Sequence, residues 1–323
     1  MHPLSADARR DRRCAARCGP ALRQCASRCG ADDSAHGRTR PPDHRQRRGA
    51  RLQQRPPRRI AKQRCRFRAR TDSRRTGVTR PGAPTAQQVR AALAEVADPA
   101  DAIALQRFFK TGPGEYGAGD VFIGVRVPVT RSIAKRFAAL PLDEIDLLLD
   151  SPVHEERLAG LVLLNGRFAR ASRGVPDEVE QRRIVDRYLA AVRRGRVNNW
   201  DLVDVSAENI IGPWLLDRPR DLLFELAQAD SLWERRVALL STFAFIKAGD
   251  ASTTFALSEL LLDDRRDLIQ KALGWMLREV GKRIDRTLLT GFLDVNAAKL
   301  GRTALSYATE HLDAETRADY RSR

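Results

Sequence analysis

The chain has 323 residues, with 58 Lys+Arg against 41 Asp+Glu and a formal net charge of +17. Residues 1–85 hold 24 basic and 6 acidic side chains, so they carry +18 while everything after them sums to −1, and the overall charge says nothing about what that remainder binds. No apolar run approaches the ~20 residues of a membrane-spanning helix, and all five cysteines precede residue 86, which excludes disulfides, thiol catalysis and cysteine metal sites beyond it and fits a reducing cytoplasm.

Residues 1–84 do not read as a domain. Arg is abundant, Lys62 is the only Lys, and Glu, Trp and Tyr are missing. The larger apolar residues (Leu4, Leu22, Leu52, Ile60, Phe67, Val78) are isolated. They cannot bury enough area to offset the entropy of ordering the chain, so a disordered Arg-rich segment is expected. Arg without Lys, and Asp without Glu, is what a GC-rich upstream stretch gives when read as coding. Translation is therefore expected to begin naturally near Val78 or Val89. The alternative is a disordered arm that binds nucleic acid non-specifically. Cys14, Cys18, Cys25 and Cys29 follow a C-x3-C-x6-C-x3-C pattern. Zinc sites set two close pairs further apart on an ordered scaffold, so no metal is expected here. A continuous apolar stretch of the secretory kind is also absent.

Residues 85–323 read as one all-α domain. Helix starts are marked at Thr85, Pro128, Ser151-Pro152, Pro176-Asp177, Asn198-Asn199, Ser231 and Asp264. Val121–Val125 is the one strand-like segment, too short and isolated to build a sheet. The Gly-rich stretch 111–120 lacks the G-K-[ST] ending of a phosphate loop and follows a helix, so it reads as a flexible connection. His154 and His311 stand in no metal-binding context, and no Ser-His-Asp arrangement or G-x-S-x-G occurs. No metal and no organic cofactor is expected.

The helices repeat. Residues 148–160, 228–239 and 261–274 resemble one another, and aligning Arg157, Arg236 and Lys271 gives a unit of about 35–40 residues, the size of a two-helix unit in HEAT-like arrays. Such units stack into a solenoid with a concave inner surface. Polar residues on the apolar stripe of such a helix need a reason to be there.

Three helices carry them. Trp200, Val203, Ala207 and Ile211 form a stripe that contains Asp204, a carboxylate that is costly to bury unless paired or facing solvent. Asp201, in the first turn, reads instead as favourable against the helix dipole. Arg236 lies between Leu232 and Leu239 on the next stripe, with Arg235 pointing to solvent. Lys271, Trp275, Arg278 and Lys282 recur at i, i+4, i+7 and i+11, while Ile269, Ala272, Leu273, Met276 and Val280 make the opposite, core face. Cations flanking an exposed aromatic suit a phosphate backbone with accessible sugars or bases.

Asn198-Asn-Trp-Asp-Leu-Val-Asp204, Leu232-Trp-Glu-Arg-Arg-Val-Ala-Leu239 and Gln270-Lys-Ala-Leu-Gly-Trp-Met-Leu-Arg-Glu279 resemble motifs of the bacterial DNA alkylation repair glycosylases of the AlkD type. Phe122-Ile-Gly-Val-Arg-Val-Pro128 matches that family's N-terminal helix junction. The resemblance covers about residues 86–320. It implies a HEAT-like solenoid that holds duplex DNA in its concave face and hydrolyses the N-glycosidic bond of cationic N3- and N7-alkylated purines without full base flipping. It places the catalytic Asp on Asp204, the sugar-contacting Trp residues on Trp200 and Trp275, and the cleft Arg on Arg236. Two departures stand out. The first motif begins Asn199-Trp200 where the family often has two Trp residues. After Arg236 the basic positions are poorly matched, with Ala244 and Ile246 present and Lys247 nearby.

The chemistry fits these residue types. An alkylated, cationic purine leaves without a general acid, and the sugar develops oxocarbenium character. A carboxylate at Asp204 can stabilise that charge and orient a water for attack on C1′. The π faces of Trp200 and Trp275 can hold the cationic region, and Arg236 can pair with a phosphate. Lys271, Arg278, Lys282 and Lys247 complete the expected DNA contacts. The expected protein is a cytoplasmic, nucleoid-associated monomer whose partner is double-stranded DNA carrying alkylated bases. The alternative is a non-catalytic HEAT-like module recognising DNA shape or damage. A protein-binding scaffold gives no reason for a stripe of Trp, Arg and Lys. The concave side is expected to carry positive potential even though residues 86–323 sum to a net charge of −1.

Overall fold

The computed structural model describes residues 82–323. The expectations for the Arg-rich segment, its cysteines and the start of translation fall on residues outside that range. Among the described residues the regular structure is helical throughout. It runs α1 (Ala86–Ala94), α2 (Pro99–Gln106), α3 (Val127–Arg136), α4 (Leu142–Leu149), α5 (His154–Ala171), α6 (Glu178–Arg193) and α7 (Trp200–Trp214). It continues with α8 (Asp221–Gln228), α9 (Leu232–Lys247), α10 (Ser252–Leu260), α11 (Asp267–Arg283), α12 (Arg286–Asn296), α13 (Arg302–Ala308) and α14 (Ala314–Ser322). The strand-like Val121–Val125 makes only an isolated bridge to Val153. No helix of the described residues is long and apolar enough to cross a membrane.

The packing gives two layers. Helices α5, α7, α9, α11 and α13 form a row in which each packs on the next, and α4, α6, α8, α10 and α12 cover it. The row helices begin at residues 154, 200, 232, 267 and 302, so the last two intervals, 35 residues each, match the repeat seen in the sequence and the one before them, 32, falls just short. The first is longer, because α6 and its connections add residues. Within this register Asp204, Arg236 and Lys271 are each the fifth residue of their helix, one above another along the row.

Local chemistry sets the helix ends. Thr85 starts α1 in a capping box with Gln88, and Asp177 and Ser231 cap α6 and α9 as expected. Two starts fall two residues late. Ser151 bonds the Val153 N–H at 3.0 Å and Asp264 the Arg266 N–H at 3.1 Å, so each closes a turn before its helix rather than capping it. The Val121–Val125 segment ends on a different device. Gly124 adopts φ +83°, and a Cβ there would lie 1.9 Å from the Asp98 carbonyl. This lets the N–H groups of Ile123, Gly124 and Val125 converge on the buried Glu155 carboxylate at 2.9–3.3 Å.

Close approach of the row helices depends on glycines at two crossings, and a Cβ on Gly212 of α7 would lie 2.6 Å from both the Ser241 carbonyl oxygen and the Ala244 Cβ of α9. A Cβ on Gly274 of α11 would lie 2.3 Å from the Ala304 carbonyl and 2.6 Å from the Tyr307 Cβ of α13. Gly274→Ala is expected to destabilise the protein by about 1–3 kcal/mol through overpacking. Gly291→Ala, at a helical position with open space around it, is expected to stabilise it by up to about 1 kcal/mol. Chemical denaturation of the two variants beside wild type measures both.

Candidate nucleic-acid interface and catalytic carboxylate

The site sits at the N-terminal ends of α7, α9 and α11. Because α7 and α9 pack at matching register, Asp204 and Arg236 meet directly. The guanidinium donates from Nε and Nη2 to the two carboxylate oxygens at 2.9 Å each, and from Nη1 to the Leu268 carbonyl at 2.6 Å. Arg236 is 4% exposed, whereas the Asp204 side chain keeps 15%. Burial pushes the Asp204 carboxyl up to about 6, Arg236 opposes that rise, and the charges of Asp201 and Glu208 add to it. A phosphate is the partner expected for Arg236 from its residue type and the motif resemblance. In this structure the carboxylate and a backbone carbonyl already take its donors.

Trp200 opens α7 half-buried, with one ring face stacked on Phe109 at 5.3 Å between centroids. Phe109 comes from the segment between α2 and α3. The same segment brings Tyr116 edge-on to Trp233 at 5.6 Å. Burial raises the Tyr116 phenol above its ordinary pKa, and the Lys110 backbone, the charge of Lys271 and the Trp200 side chain hold it back. The Gly-rich stretch expected to be a flexible connection is therefore tied down beside the site. Gly117 N–H donates to the Lys110 carbonyl at 2.8 Å, and Asp120 accepts from the side chains of Asn198 and Asn199 at 3.1 and 2.9 Å. Trp233 is core, and the half-buried Trp214 lies under the Arg218 guanidinium at 3.7 Å.

Trp275 is half-buried on α11, 6.1 Å from the Phe243 ring of α9. Lys247 and Arg283 lie over Phe243 at 4.5 and 4.9 Å from its centroid. The four expected DNA-contacting cations lie on α9 and α11, the helices that carry these aromatics. Lys247 pairs with Glu208 at 2.9 Å and Lys271 with Asp267 at 2.8 Å, both exposed enough that a phosphate can replace the carboxylate at little cost. Arg278 is more enclosed and pairs with Glu310 and Glu279. Exposed Lys282 lines, with Arg278, Arg286 and His311, a cleft of about 260 Å³ next along the same face. The opposite face of α11 is core, as its periodicity predicts: Ile269, Ala272, Leu273, Met276 and Val280 are fully buried. Arg235, expected to be solvated, instead donates to the Ala229 carbonyl at 2.6 Å and to Asp264 at 3.0 Å.

His154, which stands in no metal-binding sequence context, faces two carboxylates. Its ring lies 2.8 Å from Asp201 and 3.5 Å from Asp120. The partners are remote in sequence, so no local motif announces them. Asp201 also accepts from the Leu202 N–H at 2.9 Å, in keeping with its first-turn position. Among the described residues no group of three or more His, Cys, Asp and Glu could hold a metal ion.

Against known proteins, residues 89–312 match the family described as DNA alkylation repair enzyme. Among solved structures the chain is similar to one described as a predicted DNA alkylation repair enzyme from Enterococcus faecalis. The identity is 19% and the TM-score 0.52, with 68% of this chain and 97% of that one covered. At that identity the likeness bears on the fold. Curated proteins give no match. The matched residues include every side chain of the site described above, and the chain belongs to the DNA alkylation repair enzyme family.

Proposed function

We propose that this protein is a monofunctional DNA glycosylase that hydrolyses the N-glycosidic bond of cationic N3- and N7-alkylated purines in duplex DNA. The observation that carries the reading is the Asp204 carboxylate, buried at the end of an apolar stripe yet still 15% open, one turn from Trp200 and in register with Arg236 and Lys271. A carboxyl held up at about 6 is poised to respond to charge. A cationic base, or the oxocarbenium that forms as it leaves, favours the ionised form. A neutral, undamaged base offers no such stabilisation, so the carboxylate itself contributes to discrimination.

In this reading Asp204 stabilises the developing sugar cation and orients the attacking water. Trp200 and Trp275 offer their rings to the deoxyribose and base. Arg236 fixes the carboxylate's two oxygens, so that one face points toward the open side. Lys247, Lys271, Arg278 and Lys282 track the phosphate backbone, exchanging their present carboxylate partners for phosphates. Acting as a monomer on chromosomal DNA in the cytoplasm, the protein needs no metal or organic cofactor for these steps.

One observation favours the second reading, a non-catalytic module that recognises DNA shape or damage: Arg236 already satisfies both Asp204 oxygens, as a purely structural pair would. Release of 7-methylguanine from methylated duplex DNA separates the two. Lys282→Ala adds a check on the interface. It is expected to weaken DNA binding modestly and to reduce the slope of log affinity against log salt by about 1, measured by fluorescence anisotropy. An unchanged slope removes Lys282 from the interface.

A further inference from the structure

A cluster outside the recognised motifs joins the Gly-rich segment to the first turn of α7. His154, the first residue of α5, is 2% exposed. Its Nε2 lies 2.8 Å from Asp201 of α7, and its Nδ1 lies 3.5 Å from Asp120 of the segment. Arg157, one turn along α5, lies 2.7 Å from the other Asp120 oxygen. These are the charged groups that face His154 from α5, from the segment and from α7. Asp120 also accepts from Asn198 and from Asn199, the residue that begins α7. Asn199 is fully buried and gives its side chain to Asp120 rather than to its own helix.

An aromatic stack runs beside these polar contacts. The His154 ring stacks on Phe122 at 4.7 Å, Phe122 on Phe109 at 5.0 Å, and Phe109 on Trp200 at 5.3 Å. The segment therefore grips Trp200 through ring contacts and the backbone of α7 through Asp120. Two carboxylates, Asp120 buried and Asp201 16% exposed, face one guanidinium and one imidazole, so the charges balance only when His154 is an imidazolium. A neutral ring would have one N–H for two carboxylates and would leave one of them without a counter-charge. That excess would sit at Asp201, whose charge acts on Asp204 one turn further along α7.

We propose that His154, as an imidazolium bridging Asp120 and Asp201, is a positioning residue for the Asp204 site. It locks the Gly-rich segment onto the start of α7, which fixes Trp200, and its charge offsets Asp201 so that Asp204 feels less negative field. The proposal rests on the glycosylase reading for its effect on catalysis, and its structural half stands apart from that reading. Burial works against the charged ring, but Asp201 and Asp120 overcome it and hold His154 up to about 9. With the folded value above the ordinary 6.5, the stability that the bridge contributes is fully present below pH 6.5 and is lost as pH rises through about 9.

Two measurements on the full chain test this. In the first, the His154 ring is followed by NMR of histidine-labelled protein across pH, together with the Trp200 indole N–H. The expected result is a ring that stays charged until about pH 9, with the Trp200 resonance moving along the same curve. A His154 that titrates near its ordinary value, or a Trp200 signal indifferent to it, overturns the proposal whether or not the protein is an enzyme. In the second, single-turnover release of 7-methylguanine and DNA affinity are measured for wild type and His154→Gln. The variant is expected to lose about 10- to 100-fold in rate with little change in affinity, and to lose the alkaline fall that wild type shows. Adding Asp201→Asn, which removes the carboxylate that the ring offsets, is expected to recover part of the rate. An unaltered rate and pH profile in His154→Gln overturns the proposal. If wild type releases no base at any pH, the glycosylase reading fails, and the NMR result alone decides the positioning role.

Discussion

Asp204→Asn is expected to lower the single-turnover rate of 7-methylguanine release by about 10²–10³-fold, the scale seen when one preorganised electrostatic group is removed from a site. The asparagine keeps the shape of the side chain and one oxygen for the Arg236 guanidinium, which now reaches both carboxylate oxygens at 2.9 Å. It removes the charge that would face the sugar cation. Stability should change little, because two effects oppose each other. The carboxyl sits at about 6 in the folded protein, above its ordinary 3.8, so the native state loses stability as pH rises through that range and stays less stable above it. Asparagine removes that penalty but leaves Arg236 without a counter-charge. The same pKa sets the acid side of the rate profile. Wild-type release should rise as pH passes about 6, and the rise should be missing in the variant. A rate undiminished in Asp204→Asn would remove this residue from the chemistry.

Arg236→Ala is expected to cost about 3 kcal/mol of stability at neutral pH, the lower end for breaking a buried ion pair. The lower end applies because the Asp204 side chain keeps 15% exposure and can draw on solvent once its partner is gone. The substitution also orphans the Leu268 carbonyl, now held at 2.6 Å. With the guanidinium removed, burial acts on Asp204 unopposed, so the acid side of the rate profile should move to higher pH. Arg236→Lys should recover little, since one ammonium cannot serve two carboxylate oxygens and a carbonyl in a fixed fork. Denaturant melts and pH–rate profiles of the two variants measure both halves. A stable Arg236→Ala protein with an unmoved profile would mean that the pair does not govern Asp204.

Much of this arrangement is legible in the sequence. The three motif helices carry their polar residues at fixed positions on apolar stripes, and repeat spacing alone places Arg236 and Lys271 in equivalent places. Asp204 occupies the same fifth position in α7, so its pairing with Arg236 was available from register, although the sequence reading gave Arg236 to phosphate instead. Arg157 aligns only approximately with these, as the fourth residue of α5, and it serves Asp120 rather than the site. The segment between α2 and α3 was not legible. Its glycines indicate turns but not where those turns lead, and Asp120, His154 and Asp201 meet only after the N-terminal helices dock. Buried His154 gave no warning because its partners lie far from it in the chain. The ion pairs of Arg278 with Glu310 and of Lys247 with Glu208 likewise join neighbouring repeats, which local periodicity does not see.

The proposed role of Asp204, 15% exposed beside Arg236, is to support hydrolysis of the bond to an alkylated purine. Single-turnover release of 7-methylguanine and 3-methyladenine from methylated duplex DNA by the full chain tests it most directly, with Asp204→Asn and unmethylated DNA run beside it. The predicted result is release well above the spontaneous rate by wild type, lost in Asp204→Asn, with no base freed from unmethylated DNA. Release no faster than the spontaneous rate by folded, DNA-binding wild-type protein would contradict the claim and leave a module that binds DNA without cutting it.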